Sequence, residues 1–314
     1  MNNVAFIYDD IFLGHEPPPW HPERKERLLR ILNGLKSAGL WDRLSHVKPR
    51  RAGLDDIALV HTSGHIEKIM KSGAAGCLDP DTFTSEGSLE AALHAAGSVI
   101  EAVERCRAGE AQRVFCAVRP PGHHAEADCA MGFCLFNNIA IGARHARKIG
   151  YRRVLIIDFD AHHGNGTQHI FEEDNTVFYF STHQHPYYPE TGKDMERGKG
   201  KGEGYTYNVQ IHTGSGNKDY LCVYQDILPD LVRRFEPEII LVSAGYDIHA
   251  QDPHADIRVT GEGIRGIVRS ILGSSAAPVV FVLEGGYDLD SLAESVRITV
   301  EEMLLSTFTI SSSP

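Results

Sequence analysis

The six cysteines, at 77, 106, 116, 129, 134 and 222, form no CxxC pair and no regular framework, so neither a disulfide scaffold nor a thiolate metal site is indicated. Basic charge is short as well: 31 Lys and Arg stand against 42 Asp and Glu, a net charge of −11. Direct nucleic-acid binding needs a basic footprint and is not expected. An acidic surface is compatible with a cationic substrate, but charge alone decides little. No apolar run approaches the length of a membrane span, and MNNVAFIYDD has neither the basic region nor the apolar core of a signal peptide. The expectation is therefore a cytoplasmic chain with no membrane partner. Linkers, repeats and low-complexity blocks are missing too. A single domain over 1–305 is expected, with 306–314 as a frayed tail. Apolar residues, 42% of the chain, are ample for a core.

What is present is alternation. Val4–Tyr8, Val114–Val118, Val154–Ile157, Val177–Phe180, Tyr205–Ile211, Ile239–Ser243 and Val279–Leu283 read as strands. Helices are expected over Glu26–Leu40, Leu89–Arg107 (with Ser88 as N-cap), Asn137–Ile149, Gln168–Glu173, Asp219–Phe235, Gly263–Ser270 and Leu289–Leu305. Strands alternating with helices predict an α/β fold with a parallel sheet covered on both faces. Five polar clusters follow predicted strands: PPGHH after 118, DFDAHHG after 157, STH after 180, SAGYD after 242 and EGGYD after 283. Ligands of such sheets bind outside the carboxyl ends of the strands, so the clusters are expected on one rim.

The richest stretch is Arg153–Gly166, RVLIIDFDAHHGNG. An apolar strand leads into Asp158, Asp160 and His162, which share a face if the extended form persists. Carboxylates and an imidazole at a buried strand end need a cation, and a mixed N/O set suits zinc. Singly, the other clusters are weak: His123 and His124 read more readily as two surface histidines on a turn, and Asp247 reads equally as a helix cap and Tyr287 as a packed aromatic. Together they supply a hydrolytic site, with Asp160, His162 and Asp247 as ligands, His123 and His124 as an acid/base pair, and Tyr287 as oxyanion donor.

HPERKER at 21–27, RPPGHH at 119–124, MGFCLFNN at 131–138, DFDAHHGNG at 158–166, STH at 181–183, SAGYD at 243–247, DP at 252–253 and EGGYDL at 284–289 occur in the order of one family. By these motifs the chain resembles the histone deacetylase superfamily, whose bacterial and archaeal members include acetylpolyamine and acetoin-utilisation-type deacetylases. The PPGHH and HHGNG forms resemble class II rather than class I. The resemblance implies a three-layer arginase/deacetylase-like fold around one eight-stranded parallel sheet, a catalytic Zn2+ (Fe2+ being compatible with the same ligands) and a structural K+. It implies Asp160, His162 and Asp247 as metal ligands, and His124 as the base and then the acid. His123 would be its partner, oriented by Asp158, and Tyr287 the oxyanion donor. Gly132 would accept the substrate amide N–H, Phe133 and Tyr188 would flank an acyl-lysine channel, and Asp158, Asp160, His162, Ser181 and Thr182 would surround the monovalent cation. Arg27 matches the arginine of an acetate-release channel.

Two positions depart from parts of that family. Asn165 stands where class I members have an Asp directed at the second histidine, as in class II. His254 stands where polyamine-selective relatives place a carboxylate, so polyamine preference is not expected, although Asp79, Asp81 or Glu190 on the rim remain able to read a cation. The expected substrate is an acylated lysine in a peptide or protein, or an acylated small amine. Rival readings are a two-metal amidohydrolase of the arginase type, for which a second ligand cluster is wanting, and a non-catalytic reader of acyl-lysine, which the presence of His124 and Tyr287 disfavours.

Overall fold

A computed structural model describes residues 4–73 and 75–306. Eight strands form one parallel sheet: β1 (Val4–Ile7), β2 (Ser45–Val47), β5 (Arg113–Cys116), β6 (Val154–Asp158), β7 (Val177–Gln184), β8 (Thr206–Ile211), β9 (Ile239–Ala244) and β10 (Val279–Leu283). Their spatial order is β2-β1-β5-β10-β9-β6-β7-β8, and every pair is parallel. The four central strands are buried at every position. Their near-continuous Val, Ile, Leu and Phe content is what a sheet covered on both faces requires.

Helices α4 (Ser88–Ala108) and α5 (Asn138–Lys148) cover one face. The opposite layer contains α1 (Glu26–Ser37), α8 (Leu228–Phe235), α9 (Gly261–Gly273) and α10 (Leu289–Ser306). The remaining helices are α2 (Leu54–Ile57), α3 (Ser63–Lys71), α6 (Asn165–Phe171) and α7 (Asn217–Cys222). A smaller apolar cluster, with Ile57, Ile66 and Ile69 against Ala92, Ala96 and Ile100, also takes in Leu135 and Phe136. It ties the 130–136 loop to the helical layer. Among the described residues no helix is long and apolar enough to cross a membrane.

Several elements depart from the sequence expectation for identifiable reasons. Helix α1 stops at Ser37 because Gly39 takes a left-handed φ of +66° and Leu40 N–H turns back to Leu35 O. Ser88 is not the cap of α4; Gly87 is, and the Ser88 hydroxyl accepts from Ser85 N–H and pairs with His15 Nδ1. The helix expected over Asp219–Phe235 is α7, a π turn at Val223–Ile227 and then α8. Pro229 in the first turn of α8 has no N–H to continue a regular ladder. STH lies within β7 rather than after it, since that strand runs on to Gln184. Strand β2, helices α2 and α3, and an antiparallel hairpin of β3 (Ala75–Asp79) and β4 (Thr82–Ser85) have no counterpart in the sequence expectation; they are short. Of the expected tail, Ser306 closes α10, and 307–314 lie outside the described residues.

One buried ion cluster fastens the 15–27 segment to the sheet. Glu23, fully buried, accepts from Arg27 Nη1 at 3.1 Å and is held in two-point fashion by Arg119 through Nε and Nη2. Arg119 also donates to Phe12 O and His15 O, and Arg27 to Gly286 O (2.7 Å) and Glu284 O (2.5 Å). Removing one partner of a buried pair strands the other charges. Glu23→Ala is therefore expected to lower unfolding free energy by about 3–5 kcal/mol, whereas Glu90→Ala, breaking the exposed Arg51–Glu90 pair, should lower it by about 1 kcal/mol or less. Denaturant titration of both variants measures the contrast.

Candidate active site

Each central strand delivers one part of the site from its carboxyl end. Beyond β5 come His123 and His124, beyond β6 Asp160 and His162, beyond β9 Asp247, and beyond β10 Tyr287. Strand β6 ends at Asp158, so its extended form does not persist to 162. Instead a turn presents the next groups: Asp160 N–H donates to Asp158 Oδ1 (3.2 Å), and His162 N–H to Asp160 Oδ1 (2.9 Å).

Asp160, His162 and Asp247 offer ligand atoms that all lie within 4.8 Å of one another. His162 Nδ1 is 3.0 Å from Asp160 Oδ1 and 3.1 Å from Asp247 Oδ2. The other oxygens are fixed by backbone donors, Gly285 N–H to Asp160 Oδ2 at 2.8 Å and Ala161 N–H to Asp247 Oδ1 at 2.9 Å. Burial, with Asp160 next to it, pushes Asp247 up to about 7. Burial disfavours charge on His162, yet the two carboxylates raise it to about 10. The two carboxylates thus hold a proton on His162, and a divalent ion that displaced it would leave the imidazole neutral and able to ligate. The three groups fit a divalent metal: one nitrogen and two carboxylates, with positions left open, is the donor set of a catalytic rather than a structural site. The space is kept clear by glycine. A Cβ at Gly285 would come 2.2 Å from Asp247 Oδ2, and one at Gly245 2.0 Å from Asp160 Oδ2.

The two histidines, with ring centroids 4.0 Å apart, are driven in opposite directions. Burial opposes charge on His123, but Asp158, 3.0 Å from its Nδ1, and Asp160 raise it to about 10. Burial, then His123 and His162, hold His124 well below the usual imidazole range. Its Nδ1 is 2.7 Å from Asn165 Oδ1. Such divergence assigns one histidine to carry charge and the other to stay neutral. Burial keeps the Tyr287 hydroxyl protonated, its pKa pushed well above the usual phenol value.

A cavity of about 150 Å³ opens above these groups. His123, His124, His162, Gly285 and Tyr287 line its floor, while Pro121, Gly132, Phe133, Tyr188, Asp81 and His254 line its walls and mouth. Gly132, at φ +54°, passes so near His124 that a Cβ would lie 2.4 Å from its Cδ2. Phe133 is itself left-handed at φ +69°, with its N–H on Thr82 Oγ1 of β4 (3.0 Å). Its ring stands edge-on to Tyr287, and the Tyr188 ring edge-on to His124. Burial, then Asp79, raises Asp81 to about 6. Burial lowers His254, which sits 4.5 Å from the Tyr287 ring. Asp79 and Glu190 are not among the residues lining the cavity.

Ser181 pairs with Asp158 across β6 and β7, its hydroxyl 2.8 Å from His183 Nδ1; Thr182 Oγ1 is 3.0 Å from the Tyr224 hydroxyl. The Arg27 guanidinium lies behind Tyr287, 5.0 Å from its ring.

Three supporting residues carry no role in the sequence reading. Glu284, fully buried, accepts from Gly122 N–H (2.7 Å), His123 N–H (3.2 Å) and the Ser243 hydroxyl (3.1 Å), and so fixes the backbone of the paired histidines. Asp252 accepts from Tyr287 N–H (2.5 Å) and Asp288 N–H (3.0 Å). His21 Nε2 is 3.0 Å from Asp81 O, and its ring stacks edge-on against Phe133. The visible signal for Glu284 is a carboxylate ending an apolar strand.

This sheet and the groups at its carboxyl ends define an arginase/deacetylase-like fold. The chain belongs to the histone deacetylase family, whose model, the histone deacetylase domain, matches residues 21–303, and it is a deacetylase, a hydrolase. A probable deacetylase of Methanothermobacter thermautotrophicus is 44% identical over 281 residues, 88% of this chain and 83% of its own. One of Archaeoglobus fulgidus is 39% identical over 294 residues, 91% and 82%. The polyamine deacetylase HDAC10 of Homo sapiens is 35% identical over 97% of this chain, which spans 47% of that protein. Among solved structures, the crystal structure of the HDA15 HD domain matches with a TM-score of 0.92 at 36% identity, covering 96% of this chain and 88% of that one.

Asp247→Ala removes one of three candidate ligands, so the variant is expected to fold, to bind no stoichiometric divalent ion and to lose deacetylase activity. Metal analysis of the purified protein beside circular dichroism checks it; full activity in a metal-free sample is the contrary result.

Proposed function

We propose that the protein removes acyl groups, acetyl foremost, from ε-N-acyl-lysine in peptides or proteins, using zinc held by Asp160, His162 and Asp247. Iron(II) suits the same donors. A divalent ion in such a site polarises the amide carbonyl and acidifies water. The residues of the chain do the rest. His124, kept neutral by burial and by its two imidazole neighbours, takes the proton of the attacking water and returns it to the leaving amine. His123, charged against Asp158, supplies positive charge beside it. Tyr287 donates to the developing oxyanion. Gly132 O accepts the substrate amide N–H, Phe133 and Tyr188 flank the methylene stem, and Asp81 and His254 meet the rest of the substrate at the mouth. Asp158, Asp160, His162, Ser181 and Thr182 would hold a potassium ion, and Arg27 would stand on the exit route of acetate. A cytoplasmic setting is part of the proposal, supported by six free cysteines.

The observation that carries the reading is the meeting, in one narrow cavity, of a metal-ligand trio, a neutral histidine beside a charged one, and a protonated tyrosine. Tyr287→Phe is expected to keep fold and metal while lowering kcat by about 10²–10³-fold, the usual effect of losing one oxyanion donor, with KM little changed. Steady-state kinetics on an acetyl-lysine peptide decide this; native turnover in that variant removes Tyr287 from the role.

Acetylated polyamines form the second reading, because one similar protein is named a polyamine deacetylase. Recognising a distal ammonium needs a carboxylate at the mouth; His254 is lowered by burial and so uncharged at pH 7, and Asp81 is the one carboxylate lining the cavity. The native enzyme is expected not to prefer the polyamine, and His254→Glu to raise its kcat/KM relative to the peptide. Measuring both substrates on both proteins tests this, and an unchanged ratio takes selectivity away from His254.

A further inference from the structure

A base that takes a proton through Nε2 must keep its own proton on Nδ1. For His124 the partner of Nδ1 is the Asn165 side chain, whose Oδ1 is 2.7 Å away. An amide is an ambiguous partner. With Oδ1 towards the ring, Nδ1 donates and Nε2 carries the free lone pair. With the amide turned over, its NH2 would donate to Nδ1 and the ring proton would sit on Nε2, leaving no acceptor there. The ring alone does not choose between the two.

The far side of the amide chooses. Asn165 Nδ2 donates to Glu126 Oε1 at 2.5 Å, and also meets His124 O (3.3 Å) and Met131 Sδ (3.4 Å). All three are acceptors, and Glu126 is the charged one. A turned-over amide would set its oxygen against a carboxylate and a carbonyl. Glu126 is itself anchored: its N–H donates to Cys129 O (2.9 Å), its carbonyl accepts from His61 Nδ1 (2.9 Å), and His169 Nδ1 lies 2.9 Å from the same Oε1. Helix α6 approaches closely enough to deliver Asn165 because residue 166 is glycine; a Cβ there would be 2.2 Å from Ala125 O. A carboxylate at 165 would present an acceptor to His124 in either orientation without Glu126, and would set its other oxygen against that carboxylate.

We propose that Glu126 is a positioning residue which, through Asn165, fixes the proton of His124 on Nδ1 and so leaves Nε2 free to act. This rests on the reading of His124 as the base. The test joins two-bond proton–nitrogen-15 spectra of the histidine rings, with His124 assigned by its loss in His124→Ala, to kinetics on an acetyl-lysine peptide. Native protein should show one His124 tautomer, protonated at Nδ1. Glu126→Ala, or Glu126→Met should the first not fold, should show mixed tautomers and a kcat lower by about tenfold or more, with KM within about twofold. Glu126→Gln, whose amide oxygen still accepts from Asn165, should restore both. In an Asn165→Asp background the loss of Glu126, which there removes a carboxylate–carboxylate contact, should not lower kcat, whereas a merely structural role would lower it in both backgrounds. A single Nδ1 tautomer with native kcat after loss of Glu126, or equal loss in both backgrounds, overturns the proposal. Should His124→Ala keep its activity, the base assignment fails instead, and the tautomer spectra still judge Glu126.

Discussion

Negative charge buried at the carboxyl ends of adjacent strands is the constraint on which the rest depends. Asp158, Asp160, Asp247 and Glu284 all lie out of solvent within a small volume, where an uncompensated carboxylate is prohibitively costly. The fold answers each one separately. Glu284 takes two backbone N–H groups and a hydroxyl. Asp158 takes His123, the Tyr179 hydroxyl and Asp160 N–H. Asp160 receives two backbone donors, His162 N–H and Gly285 N–H, and Asp247 one, Ala161 N–H, and the two carboxylates share the His162 ring. A divalent ion at this trio would take the place of the His162 proton as the cation between the two carboxylates.

On the other side of Tyr287 the balance reverses. There a single carboxylate, Glu23, serves two buried guanidiniums, Arg27 and Arg119, and Arg27 reaches the Tyr287 ring. The cavity lies between a cluster rich in carboxylate and one rich in arginine. That polarity suits a reaction in which a carbonyl oxygen gains negative charge near Tyr287 while a neighbouring imidazole gains a proton. Both clusters are built on strand ends and on α1, elements whose positions are set by the main core, so the reacting groups are oriented before a substrate arrives.

The mouth is made differently. Phe133, Tyr188, Asp81 and His254 stand on loops or on the turn of the β3–β4 hairpin; Phe133 is held by its N–H on Thr82 and by a loop that the satellite cluster anchors through Leu135, and His254 by the Tyr187 hydroxyl on its carbonyl. Chemistry belongs to the sheet and substrate choice to its periphery, which is where relatives of one fold can diverge.

The sequence by itself determined the sheet and singled out Asp160, His162 and Asp247 as candidate ligands. Seven of the eight strands were legible; the central ones stood out as apolar runs because a doubly covered strand must be apolar at every position, whereas the edge strand β8 mixes Thr, Asn and Gln with apolar residues. Asp160, His162 and Asp247 stood out because such groups have no cheap reason to follow a buried strand. The edge strand Ser45–Val47 and the hairpin at 75–85 were not legible; three to five residues carry too little periodicity, and pairing partners distant in sequence define them. Only the tertiary structure decided which acidic residues answer which need. Glu284 and Glu126 look alike in sequence, yet one fixes the backbone of the histidine pair and the other faces the amide of Asn165, 39 residues away. The same holds for His123 and His124. They are adjacent and chemically identical in the chain, and they differ because Asp158 meets one ring and Asn165 the other.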